Sequence, residues 1–177
     1  MPNKKKALDK ASNIKLAVFD VDGVMTDGRL FLSADGDEQK IFHAHDGLGL
    51  KMLQLSGCEI AIISARSSKV VSDRMAALGI SRIMQGQSDK RKALLSIIQD
   101  LKLEKSNVAY VGDDLVDLPP MSISGLAIGV ANAHPLVKKY ADWTTEKEGG
   151  AGAVREICEM ILSAQGKLDS IYQTYII

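Results

Sequence analysis

Leu16-Ala17-Val18-Phe19-Asp20-Val21-Asp22-Gly23-Val24-Met25-Thr26-Asp27-Gly28 sets two carboxylates one residue apart, directly after a short apolar run. The run Leu16 to Phe19 predicts a buried strand, and its abrupt polar end predicts the carboxyl edge of a sheet. Side chains alternate along an extended chain, so Asp20 and Asp22 are expected to face the same way and to repel unless a cation or a shared proton relieves them. A hard divalent ion such as Mg²⁺ takes oxygen ligands and leaves room for a phosphate oxygen. Taken alone, the same residues also read as an acidic turn after a core strand. The sequence downstream has to decide.

Beyond this point β-rich apolar runs alternate with segments of helical period. Leu16 to Asp20, Ile60 to Ser64, Val108 to Gly112, Leu126 to Val130 and Asp142 to Thr145 read as strands. Gly47 to Leu55, Lys69 to Leu78, Lys90 to Leu101, a short segment opening at Pro135, and Ala153 to Ala164 read as helices. That alternation predicts an α/β fold, a Rossmann-like parallel sheet with helices on both faces. One stretch breaks the rhythm: Arg29 to Ser33 and Gln39 to His43 flank Ala34-Asp35-Gly36-Asp37, which predicts a β-hairpin insertion over residues 28–43. It carries Leu30, Phe31, Leu32, Ile41 and Phe42. An isolated hairpin is marginal in water, so these side chains are expected to pack on another subunit.

With 177 residues the chain fits one domain, read here as residues 14–166 between a polar leader at 1–13 and a tail at 167–177. The tail is expected to add an edge strand or to dock on a neighbour. Lysine plus arginine number 22 and aspartate plus glutamate 22, so no broad basic surface is expected and nucleic acid is not an expected partner. Lys4-Lys5-Lys6 reads as a solvated, frayed segment. Cys58 and Cys158 are far apart, sit in apolar surroundings and lack zinc-ligand spacing, which predicts reduced, buried thiols. No segment approaches the length of a membrane span, and a cytoplasmic location is expected.

Ligands of open α/β sheets gather outside the carboxyl ends of the strands, and four polar stations stand at such ends. The first is Asp20/Asp22. The second is Ser64 with Arg66 just beyond, where the hydroxyl suits either a phosphate oxygen or the cap of a helix starting near Ser67. The third is Lys90 at the start of a helix, where the dipole disfavours a cation and an anion nearby would account for it. The fourth is Gly112-Asp113-Asp114-Leu115-Val116-Asp117, three acids within five residues, costly unless a metal or solvent relieves them.

DVDGV, Ser64, Lys90 and GDDxxD, in this order, resemble the haloacid dehalogenase superfamily of phosphohydrolases over nearly the whole chain. The resemblance implies that Asp20 is the nucleophile and Asp22 the general acid and base. Ser64 and Lys90 then bind phosphate, and Mg²⁺ is held by Asp20, the backbone carbonyl of Asp22 and Asp113, with Asp114 and Asp117 in support. No large cap is expected, because the first gap holds only the hairpin and Ser64 to Lys90 only one helix and one short strand.

The extended DVDGVMTDG, the phrase Phe42-His43-Ala44-His45-Asp46-Gly47-Leu48-Gly49-Leu50, Ser64-Ala65-Arg66 and GDDLVDLPPM are similar to the capless phosphatases of 3-deoxy-D-manno-octulosonate 8-phosphate, whose product feeds lipopolysaccharide synthesis. Ala65 stands where that family usually has glycine. The resemblance implies a homotetramer assembled through hairpins, with active sites at subunit interfaces. A sialic-acid or deoxynonulosonate 9-phosphate phosphatase is the nearest rival, but those relatives tend to carry an acid where this chain has Arg66. Arg66, with Arg74 further along, suits a sugar carboxylate through charge-assisted hydrogen bonds, although Arg74 also reads as a solvated helix residue. A regulatory subunit without catalysis is the alternative from another class. A degenerate copy should lose a catalytic carboxylate, and none is lost here.

Overall fold

The computed structural model describes residues 2–34 and 38–176. One six-stranded sheet organises it, in the order β5 (Arg82–Met84), β4 (Glu59–Ile63), β1 (Leu16–Phe19), β6 (Val108–Gly112), β7 (Leu126–Gly129), β8 (Trp143–Thr144). Every neighbouring pair is parallel, with Phe19 level with Ile62 on one side and Val111 on the other. β1, β6 and β7 are buried at every residue, as strands must be when both sheet faces are covered. Helices α1 (Pro2–Ala11) and α2 (Ala44–Leu55) each pack on α7 (Ala153–Ala164), and α4 (Lys90–Asp100) packs on α5 (Leu118–Met121). α3 (Lys69–Ala77) and α6 (Pro135–Tyr140) complete the crossovers. Strands are added outward on one side of β1 as β4 and β5 and then on the other as β6, β7 and β8, so the order switches at β1 and the crevice opens at its carboxyl end.

Both ends of the chain differ from expectation. Residues read as a polar leader form α1, which buries Ala7 and Ala11 and sets Lys10 Nζ 2.5 Å from Asp142 Oδ1. Two small apolar residues among lysines carry too weak a periodic signal to announce a docked helix. Of the two expectations for the tail, the edge strand is not found among the described residues: the tail forms α8 (Leu168–Gln173), buries Ile171 and donates the Tyr172 hydroxyl to Glu159 of α7 at 2.7 Å. Cys58 and Cys158 are free and buried.

The hairpin is present but short. β2 (Phe31–Leu32) pairs antiparallel with β3 (Glu38–Gln39), and the Asp-Gly turn lies outside the described residues. Leu30, Phe31, Leu32 and Ile41 are between 46% and 65% exposed, so the described residues leave a large part of each uncovered.

Candidate active site

The fork of carboxylates after β1 is made by a turn, and strand alternation has no part in it. Asp20 keeps the sheet's pairing for one residue past β1, its amide donating to the Val111 carbonyl at 3.1 Å. The chain then folds back, with the Val21 carbonyl accepting from the amides of Met25 (2.9 Å) and Thr26 (3.1 Å). Asp22 belongs to that turn. Gly23 has φ +90°, and a Cβ there would lie 2.0 Å from Asp113 Oδ2. Only glycine permits both the left-handed backbone and this approach of Asp113 from the end of β6.

Asp117 anchors the far side. It is fully buried, and its two oxygens accept four hydrogen bonds: Oδ1 from Tyr110 Oη (3.0 Å) and Lys90 Nζ (2.8 Å), Oδ2 from the amides of Asp113 (3.0 Å) and Asp114 (3.3 Å). A Cβ on Gly112 would stand 2.3 Å from the Asp117 Cβ, so that glycine is what lets the carboxylate tuck under the strand end. Lys90, 3% exposed, also reaches Asp20 Oδ2 at 2.8 Å. The anions that a lysine at a helix start calls for are thus two of the protein's own carboxylates. Burial pushes the Lys90 ammonium down, but the charges of Asp20 and Asp117 outweigh it and raise the group overall.

One ammonium does not satisfy this much negative charge. Burial, then the charge of Asp117, pushes Asp20 up to about 7, against the pull of Lys90. Burial, Asp117, Asp20 and Asp114 do the same to Asp113. One oxygen each of Asp20, Asp113 and Asp117 lies within 4.8 Å of the others, and Asp113 Oδ1 is buried without a hydrogen-bond partner. An all-oxygen donor set with an orphaned buried oxygen fits a hard divalent cation. Asp117 is already saturated by its four donors, which leaves Asp20 and Asp113 as the side chains with capacity for an ion.

Around this pair is a cleft of roughly 250 Å³ whose lining includes Asp22, Ser64, Arg66 and Asp114. Ser64, 3% exposed, does not cap α3, whose N-cap is Ser68; its Oγ accepts from the Arg66 amide at 3.3 Å and keeps its proton to donate. Asp114 caps the turn Leu115–Asp117 by accepting from the Leu115 amide at 2.8 Å. Arg66 is 46% exposed over the cleft, with Nη2 3.1 Å from Glu38 Oε1 and Nε 3.8 Å from Asp22 Oδ2. Arg74 is not brought to the cleft. Its guanidinium lies 5.9 Å from the Phe42 ring and against Gly47 at the start of α2, with Nε buried and unbonded.

Three contributors had no mark in the sequence. Tyr110 reads as a strand residue, yet its hydroxyl clamps Asp117. Lys40 falls in the second arm of the hairpin and Glu38 just before it, with nothing in the sequence to single them out, yet Lys40 Nζ bonds Asp22 Oδ1 and lies 3.2 Å from Glu38 Oε1. Each becomes visible only when separate segments meet.

Residues 77–157 match the haloacid dehalogenase-like hydrolase family. The 3-deoxy-D-manno-octulosonate 8-phosphate phosphatase of Escherichia coli K12 is 49% identical over 160 residues, covering 90% of this chain and 85% of that protein. Among solved structures, the Moraxella catarrhalis 3-deoxy-D-manno-octulosonate 8-phosphate phosphatase, in complex with magnesium, phosphate and the sugar acid, superposes with a TM-score of 0.95 at 44% identity, covering 97% of this chain and 98% of that one. The cobalt-bound deoxy-D-mannose-octulosonate 8-phosphate phosphatase of Haemophilus influenzae gives a TM-score of 0.91 at 39% identity, covering 95% of this chain and 99% of that one.

Proposed function

The chain belongs to the 3-deoxy-D-manno-octulosonate 8-phosphate phosphatases of the haloacid dehalogenase-like hydrolases, and from that membership we propose how its own residues carry the reaction. It is a Mg²⁺-dependent phosphoric monoester hydrolase that converts 3-deoxy-D-manno-octulosonate 8-phosphate to the free sugar acid and phosphate. The observation that carries the reading is the meeting of Asp20, Asp22, Ser64, Lys90 and Asp113 around one cleft at the sheet's switch point.

Asp20, Asp113 and the backbone carbonyl of Asp22 would hold the Mg²⁺. When bound, the ion offsets the charge that would otherwise keep an anionic carboxylate from an anionic ester. Lys90 and the Ser64 hydroxyl orient the phosphate. The Asp20 carboxylate attacks phosphorus while Asp22 gives its proton to the departing sugar oxygen, leaving an aspartyl phosphate on Asp20 and an ionised Asp22. Asp22 then takes a proton from the water whose oxygen attacks that phosphorus, which releases phosphate and restores both carboxyl groups. Asp114 and Asp117 support the loop and the lysine.

Arg66, exposed at the cleft, meets the sugar carboxylate. An arginine at the position where deoxynonulosonate 9-phosphate phosphatases tend to carry an acid speaks against that alternative, and the retained carboxylates speak against a regulatory subunit. The uncovered apolar hairpin supports a homotetramer in which neighbours close one another's sites. No described helix is long and apolar enough to cross a membrane, and a cytoplasmic location is the reading that suits a sugar phosphate substrate. The deciding experiment is an assay of purified protein against a panel of phosphorylated sugar acids, with and without Mg²⁺. The 8-phosphate should have the highest kcat/KM, and chelation should abolish it; a preference for a 9-phosphate would overturn the substrate assignment.

A further inference from the structure

We propose that Lys40 is a positioning residue for Asp22, holding the acid-base carboxyl in the rotamer that faces the departing oxygen. The proposal rests on the phosphatase mechanism above. Lys40 follows β3, yet its side chain is only 1% exposed, while the next residue, Ile41, is 64% exposed. Its Nζ bonds Asp22 Oδ1 and lies 3.2 Å from Glu38 Oε1; the same Glu38 oxygen accepts from Arg66 Nη2 at 3.1 Å, and Arg66 Nε lies 3.8 Å from Asp22 Oδ2. Two cations and two anions therefore close a ring through the turn after β1, the hairpin and the loop after β4.

Ordering and desolvating a lysine on a small surface hairpin is costly, so the ring has to offset that cost with charge-assisted contacts. Asp22 has most to gain. It sits in a turn outside the sheet, and Lys40 on one oxygen and Arg66 beside the other hold its carboxyl in a single orientation. Proton transfer is sensitive to such placement, since a misplacement of about 1 Å can cost roughly 10²-fold in rate. A direct role for Lys40 in gripping substrate fits less well: its ammonium is buried between two carboxylates, whereas Arg66 keeps an exposed face.

The role has a signature that a structural lysine lacks. A sugar alkoxide needs its proton as the ester bond breaks, whereas p-nitrophenolate leaves without one. The test compares the wild type with Lys40→Met, Lys40→Gln and Lys40→Arg by single-turnover release of the first product, with Mg²⁺ present. Substrates are 3-deoxy-D-manno-octulosonate 8-phosphate, glucose 6-phosphate as a second alkyl ester, and p-nitrophenyl phosphate, with folded protein quantified by circular dichroism. Lys40→Met and Lys40→Gln should slow alkyl ester cleavage about 100-fold, in line with the usual worth of a placed general acid. They should change p-nitrophenol release less than about threefold and KM little, and Lys40→Arg should recover most of the rate. An equal fall on alkyl and aryl esters, or a raised KM with unchanged kcat, would overturn the proposal. The alkyl-to-aryl ratio decides the role of Lys40, while the wild-type preference among alkyl esters separately decides the substrate assignment.

Discussion

Lys90 Nζ stands 2.8 Å from Asp20 Oδ2 inside the protein, and the same ammonium bonds Asp117 Oδ1 at 2.8 Å. Asp20, the proposed nucleophile, is therefore held by a cation that a second, saturated carboxylate holds in turn. Removing the lysine leaves two buried carboxylates without their partner. Breaking such a pair costs about 3–5 kcal/mol. Lys90→Met should lower stability by that order in urea unfolding at pH 8 with chelator present. The loss should shrink at pH 5.5, because Asp20 is protonated below about 7 and no longer needs a counter-charge. Equal losses at both pH values would count against this account.

The metal-free protein should be less stable at pH 8 than at pH 5.5. Asp20 and Asp113 are held up to about 7 from the usual 3.8, chiefly by burial, so the folded state keeps protons that the unfolded chain has released. Stability falls wherever the unfolded state binds fewer protons, which here means from about pH 4 upward through about 7. Excess Mg²⁺ should flatten or reverse the slope, since the ion takes the ionised carboxylates and stabilises the state that binds it. Thermal melts with EDTA and with Mg²⁺ across this range test it; a metal-free Tm that rises from pH 5.5 to 8 contradicts it.

Asp20→Asn should abolish turnover and leave the fold intact, because shape is kept while the carboxylate proposed to attack phosphorus is lost. It should also weaken the pH dependence of the metal-free melts. Soaking the wild type with vanadate or a metal fluoride should place the ligand against Asp20. A turning-over Asp20→Asn enzyme would sink the covalent mechanism.

Arg66→Ala should raise KM for 3-deoxy-D-manno-octulosonate 8-phosphate about tenfold, the loss of roughly one charge-assisted contact, and for p-nitrophenyl phosphate less than twofold. Steady-state kinetics on both esters read this directly. Equal effects would assign the guanidinium to the phosphate or to holding Glu38.

Phe31→Glu and Ile41→Glu should shift light-scattering mass below that of the wild type and weaken sugar phosphate turnover, since both side chains are exposed on the hairpin. Fully active wild-type monomer would refute hairpin-mediated assembly.

The alternation of buried strands and periodic helices, the sheet's parallel character and the stations Asp20, Ser64, Lys90 and Asp113 were legible in the sequence. Each rests on local signals, a continuous apolar run or a polar residue where it ends. Arg74 shows where that reading stops: its position further along the chain from Arg66 says nothing about direction, and α3 turns the guanidinium toward Phe42. The docking of α1 and α8 was likewise hidden, because a few small or isolated apolar residues become informative only against a partner surface.

What the sequence determined by itself was the order of elements and the chemistry on offer at each strand end. What the tertiary structure decided was who meets whom. Gly23 and Gly112 admit Asp113 and Asp117 at distances that any Cβ would block, Tyr110 reaches Asp117 from within a strand, and Lys40 reaches Asp22 from a hairpin 18 residues on. Burial and charge proximity set the state of each carboxyl, and both are properties of distance in space, which chain position does not encode.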